Sequence, residues 1–344
     1  VVHEERRLRT ESTPTGKFDE QFNAMFWQAH PYSWPVIGWP SDLRAISKED
    51  AERYHDTFYG ANNITAALVG NFDKQRVREL AEAYFGRIEA SKHDPPQVVT
   101  LEMPQQAEKR MVAECDCQPQ IEVRYHTVPF RHRDSYALDV LAGLLNGRTG
   151  RLYKSLVLED EIASNAGAGQ VSNKWAGYFS VSAETKGDAS PRQLEQAWYA
   201  ELSKLIDEPI PDKELQKVKN QIVASSYRRL ENPFFLMIQL LYYDGLGDWS
   251  YINDYAEKTL SVNVEDVKRV ASEYLVEDNR MVGLYHRKEG TSADPVPEAL
   301  KDLPAQARSQ IMSQVEALSS VEDPQRLEQA LAQMQQQKQA APPQ

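Results

Sequence analysis

One stretch of this chain occurs twice. Shifted by 216 positions, Glu49-Asp50 falls on Glu265-Asp266, Arg53 on Arg269, Phe58 on Tyr274, Asn63 on Asn279 and Leu68 on Leu284. With a small gap the match reaches back to the opening, where Arg6-Arg7-Leu8 falls on Arg228-Arg229-Leu230 at an offset of 222. A duplicated run of helix, turn and strand implies two copies of one α/β unit. In the second copy residues from about 107 to 221 precede the equivalent of the opening helix, whereas none do in the first. The first unit is therefore expected to be incomplete at its N-terminus, with about 115 residues lacking a counterpart.

Local patterns fill in this frame. Helices are expected over the first dozen residues, over Phe18 to Gln28 with Phe18, Phe22, Met25 and Phe26 on one side, from Ser47 through Phe58, and over Lys74 to Phe85. A strand is expected at Ile64 to Gly70. The charged, Pro-containing stretch 88–106 reads as a linker. Beyond it come strands at Ile121 to Val128, near Ala166 to Val171, at Tyr178 to Glu184 and at Arg280 to His286. Helices are expected at Ser135 to Leu145, Arg151 to Asp160, Pro191 to Ile206, Asp212 to Glu231, Phe234 to Tyr243 and Val264 to Tyr274. The expected division is 1–87, the C-terminal part of a first domain; 88–106, a linker; 107–290, a second domain; and 291–344, an accessory helix with a Gln/Ala/Pro-rich tail.

A chain of 344 residues with 41% hydrophobic content can bury a sizeable core, and its net charge of −12 argues against nucleic acid or an anionic membrane as main partner. No apolar run approaches the roughly eighteen residues that span a bilayer. Cys115 and Cys117 are too few for a disulfide framework or a four-thiolate zinc site and read as free thiols. Any targeting signal would lie upstream of Val1; a periplasmic or cell-envelope setting is the expectation this leaves.

The opening segment carries the chemistry. At about 100° per residue, Val1, Glu5 and Leu8 share one helical face, which sets a carboxylate among apolar neighbours. Such a carboxylate is either solvated at a frayed end or held by a cation, a donor or a metal. Val1 to Arg9 resembles the segment carrying the third zinc ligand in the insulinase and pitrilysin family of zinc peptidases, with Glu5 in the ligand's place. The resemblance continues through His30-Pro31-Tyr32, Pro35 to Gly38, Tyr59 to Asn63, Leu68 to Asp73, Gly147 to Tyr153, Gly177 to Ala183 and Tyr243 to Gly247. It covers about residues 1–290.

The resemblance implies an α+β fold of two homologous α/β sandwich domains closing like a clamshell, one zinc ion per full-length chain, a peptide substrate, and a second copy or related subunit as partner. It also implies a His-x-x-Glu-His helix giving two ligands and the general base. None of the seven histidines, His3, His30, His55, His93, His126, His132 and His286, lies four from another, so that motif is expected upstream of Val1. His3 stands about 200° round the helix from Glu5 and is a poor substitute. Tyr227 takes the place of Glu5 in the second copy, which is expected to bind no metal. The family's Arg seven residues before a Tyr is absent around Tyr178, where Val171 stands instead. The expected function is a zinc metalloendopeptidase cleaving peptides or unfolded segments, this chain being its C-terminal part and inactive alone. The alternatives are a non-catalytic partner or scaffold of the same ancestry, and a peptide-binding module.

Overall fold

The structure, a computed structural model, describes residues 1–287 apart from His93 and Asp116; the expected tail helix and Gln-rich end lie outside the described residues. Five strands form one sheet in the order β1-β5-β2-β4-β3: β1 Lys109–Cys115, β2 Gln120–Thr127, β3 Ala163–Ser172, β4 Gly177–Thr185 and β5 Arg280–Arg287. The β1–β5 pair is parallel and the other pairs are antiparallel. Interior strand β5 is buried from Met281 to Tyr285, and its alternate residues serve two different cores.

On one face Val282 and Leu284 join Ile121, Val123 and Tyr125 beneath helices α6 Ser135–Leu145, α7 Pro191–Asp207, α8 Asp212–Glu231 and α11 Val264–Tyr274. Trp198 of α7 is fully buried there, and its indole Nε1 donates to the Tyr125 hydroxyl at 3.0 Å. On the other face Met281 and Tyr285 meet helix α2, Gly16–Phe26, through Phe18, Phe22 and Phe26. A side chain at Gly283 would stand 2.9 Å from the Phe22 ring, so glycine is what lets α2 lie this close. The Tyr285 hydroxyl donates to Asp19 at 2.7 Å, and Lys109 Nζ donates to the terminal carbonyls of α2 at Met25 and Phe26.

The repeat is visible in the geometry. Helices α4, Lys48–Phe58, and α11 each open with a capping box, Ser47 with Asp50 and Asn263 with Asp266, at the 216-residue offset. Each is followed by a 3₁₀ turn, Ala61–Asn63 and Glu277–Asn279. The closing Asn amide donates back to the end of its helix, Asn63 to the Phe58 carbonyl at 2.9 Å and Asn279 to the Tyr274 carbonyl at 2.7 Å.

Past that turn the copies diverge. The expected strand at Ile64 to Gly70 is extended but unpaired, whereas its counterpart β5 lies between β1 and β2. A strand needs a neighbouring edge, and no strand lies beside 64–70 among the described residues, so Ile64 and Leu68 are exposed. Helices α3, Pro40–Ala45, and α5, Lys74–Phe85, complete this region, and α5 has no buried residue, so the expected apolar face of Val77, Leu80, Ala81 and Tyr84 is uncovered. Met25 is 42% exposed and leaves the face assigned to it, since three phenylalanines already fill the space over β5.

Strand β1 and helix α10, Tyr251–Ser261, have no counterpart in the sequence reading, whereas α9, Pro233–Leu246, extends the helix expected there by a few residues. The segment expected as helix over Arg151 to Asp160 is wound mainly as a π-helix, Tyr153–Glu159. Cys115, the last residue of β1, and Cys117 are joined to each other, which corrects their reading as free thiols.

Where α2 meets the sheet, His126 stacks on Phe26 with ring centroids 3.9 Å apart. Burial lowers the His126 pKa to about 4 from an ordinary 6.5. A histidine whose folded pKa is depressed leaves stability unchanged above about pH 6.5 and removes it as pH falls from there towards 4. We expect denaturant unfolding to show a loss of about 2 to 3 kcal/mol across that window, absent in His126→Phe, which keeps the stacked ring. An unchanged slope in the variant would show that other groups carry the dependence.

Candidate metal-binding segment

The opening helix forms as expected, as α1, Val2–Arg6, continued by a π-helical turn through Glu11. Its inward face is not the expected one. Val1 and Leu8 point outward, Leu8 being 72% exposed, and Arg6 is the buried residue at 4%. The guanidinium of Arg6 grips both oxygens of Glu20 at 2.7 Å and donates to the Gly38 carbonyl at 2.8 Å. A bidentate carboxylate pair with a further acceptor outweighs burial of two aliphatic chains on a helix this short.

Breaking a buried pair leaves its partner charge uncompensated, so Arg6→Ala should cost about 2 to 4 kcal/mol of local docking energy. Limited proteolysis would register this as fast cleavage within residues 1–15 with the sheet intact. Unaltered protection would mean the opening segment is held by something else.

Glu5 lies beside this anchor. Its side chain is 42% exposed, and one carboxylate oxygen, Oε1, pairs with Arg9 Nη2 at 3.0 Å, one turn along. His3 and Glu4 are exposed, and Glu4 pairs with Arg7. Among the described residues no group of three or more His, Cys, Asp or Glu side chains is placed to hold a metal ion. Glu5 can therefore supply one oxygen ligand, and the residues present do not make a zinc site by themselves. In the second copy Tyr227 lies on α8 at the matching place and is 57% exposed.

The segment after α2 is fastened at its start. The Glu102 carboxylate accepts the backbone N–H groups of Gln28, Ala29 and His30 at 2.8 to 2.9 Å. Burial raises its pKa, but these three donors outweigh that and hold it below the usual range. The Tyr32 hydroxyl accepts the Trp175 N–H at 3.3 Å, while Trp34 stays 67% exposed.

His30 is 1% exposed and His126 is packed under α2. Period-two alternation in β2 puts His126 opposite buried Tyr125, on a face that reads as polar. The only signal to the contrary was the Phe18, Phe22, Phe26 stripe, which must cover some surface. Arg151, in the Gly147 to Tyr153 stretch, is paired with Glu214 at 2.9 Å.

The second unit also holds Asp139 of α6, half-buried, beside Tyr243, Tyr251 and Tyr255, and Tyr255 donates to it at 3.1 Å. Burial pushes its pKa up to about 7. No charge partner in the sequence pattern marked it.

Residues 45–222 match the family model described as the Peptidase M16 inactive domain. The chain is 28% identical over 278 residues to the zinc protease PqqE of Helicobacter pylori, covering 80% of this chain and 63% of that protein. It is 25% identical over 287 residues to the probable mitochondrial-processing peptidase subunit beta of Arabidopsis thaliana, covering 78% and 53%. The chain thus spans less than two thirds of the length of either relative. Among solved structures, a protease from Helicobacter pylori superposes with a TM-score of 0.78 at 26% identity, covering 83% of this chain and 69% of the other. A peptidase M16 inactive domain from Pseudomonas fluorescens gives 0.69 at 18% identity, covering 81% and 67%, a likeness of fold. Mixed α/β units built around such a sheet, an internal repeat and a family model matched over half the length converge on one conclusion: the chain belongs to the M16 peptidase family.

Proposed function

We propose that this chain serves a zinc-dependent metalloendopeptidase acting on peptides or unfolded segments. In this reading residues 1–87 are the remainder of the metal-binding unit, 88–106 link it onward, and 107–290 form a unit that binds no metal. Glu5 supplies one anionic ligand, and the other ligands and the general base come from polypeptide outside this sequence. Zinc in such a site makes bound water easier to deprotonate. The observation that carries the reading is the asymmetry of the repeat: Glu5 precedes Arg-Arg-Leu in one copy, and Tyr227 stands in its place in the other. Kinship with a zinc protease supports it.

The chain alone should therefore not hydrolyse an unstructured fluorogenic peptide, with or without added zinc. Turnover by these 344 residues that a chelator abolishes would overturn the assignment of roles.

A second reading is a non-catalytic partner of a related subunit. The matched model's description as an inactive domain favours it, as does kinship with a protein named as a subunit. Co-purification with a His-x-x-Glu-His-bearing chain, against a single polypeptide that carries both, separates the two.

A further inference from the structure

A cavity of about 550 Å³ opens between the loop ahead of α6, the end of α10 and the first turns of α11. Arg131, Arg133, Lys258 and Arg269 line it, against Asp134 and Asp266. In a chain carrying −12 overall, four cations around one hollow are a local reversal of sign.

Both carboxylates are already committed. Asp134, 2% exposed, accepts from Arg269 at 2.6 Å and from the Tyr274 hydroxyl at 2.7 Å. Asp266 closes the capping box of α11, accepting the Asn263 N–H at 3.2 Å. Arg131, in the left-handed region with φ of 64°, is bound to Asp248.

Two cations are left weakly engaged. Arg133 is 83% exposed and comes no closer to Asp134 than 3.6 Å, on an oxygen that Arg269 already holds. Lys258 is 3.6 Å from Asp254, a solvent-screened pair on its own helix. Tyr136 lines the same cavity, its hydroxyl buried without a hydrogen bond of normal geometry, and the Lys258 ammonium lies 5.6 Å from its ring centroid. Lys258 and Tyr251 stand beside that hydroxyl, and a ligand oxygen would give it an acceptor of good geometry.

We infer that this cavity binds a compact oxyanion, a phosphate or carboxylate group, between Arg133 and Lys258 with the Tyr136 hydroxyl as donor. Guanidinium and ammonium groups facing one hollow select a ligand with two or more charged oxygens over a neutral one. Nothing in this site involves Glu5.

The test is calorimetric titration of the chain with inorganic phosphate and, separately, with succinate, at constant ionic strength set by chloride. Saturable binding of either anion is expected, weakened at least ten-fold in the double variant Arg133→Ala, Lys258→Ala and a few-fold in Tyr136→Phe. Arg133 and Lys258 are exposed side chains, so the double variant should melt like the parent. Which anion binds identifies the source of the oxyanion. No saturable binding of either, or binding unchanged in the double variant, overturns the inference.

Discussion

Replacing Trp198 by Ala is expected to destabilise the protein by about 3 to 5 kcal/mol, enough to abolish a cooperative melting transition near room temperature in a domain of ordinary stability. The indole is fully buried where α7 crosses the sheet, among Tyr125, Leu194, Leu202 and Val282 of the same core. Truncation leaves a cavity that the flanking strands are too constrained to close. It also orphans the Tyr125 hydroxyl, which burial already holds up to about 12 and which accepts the indole N–H at 3.0 Å. Trp198→Phe separates the two contributions, keeping most of the volume and losing the hydrogen bond, with an expected cost of about 1 to 2 kcal/mol. Urea unfolding followed by circular dichroism reads both; a loss under about 1 kcal/mol for the Ala variant would mean that α7 does not seal this face.

Much of the architecture could be read from sequence wherever a local rule and a tertiary need coincided. Helices α5, α6, α8 and α11 lie where the sequence pattern put them, and the repeat aligned Asp50 with Asp266 and Asn63 with Asn279, which the structure shows closing matching capping boxes and turns. What escaped depended on a partner distant in sequence. Strand β1 mixes Lys109, Arg110 and Glu114 with apolar residues, and pairing with β5, about 170 positions later, is what makes it a strand. The orientation of α1 was inverted because aliphatic spacing says nothing of Glu20, whose carboxylate draws Arg6 inward. The burial of His126 was not legible, because the helix that covers it comes about a hundred residues earlier. For the candidate site the sequence offered Glu5 and its unlike counterpart Tyr227; the pairing of Glu5 with Arg9 and its exposure emerged only in the structure.

Glu5→Gln, made in this chain together with the polypeptide that supplies the other ligands under the proposed function, is the second change expected to have a large effect. The substitution keeps the side chain's shape but replaces an anionic oxygen ligand by a neutral one. Metal affinity should fall by at least about a hundred-fold, since even residues that merely orient a ligand are worth 10- to 100-fold. The fold should hold, because the charge lost was engaged in an exposed pair with Arg9 that is worth under about 1 kcal/mol. Zinc content after dialysis, measured by elemental analysis alongside a melting curve, tests the central claim most directly. The account predicts about one zinc per chain in the parent and little in the variant at equal thermal stability; a variant retaining one zinc per chain would contradict it.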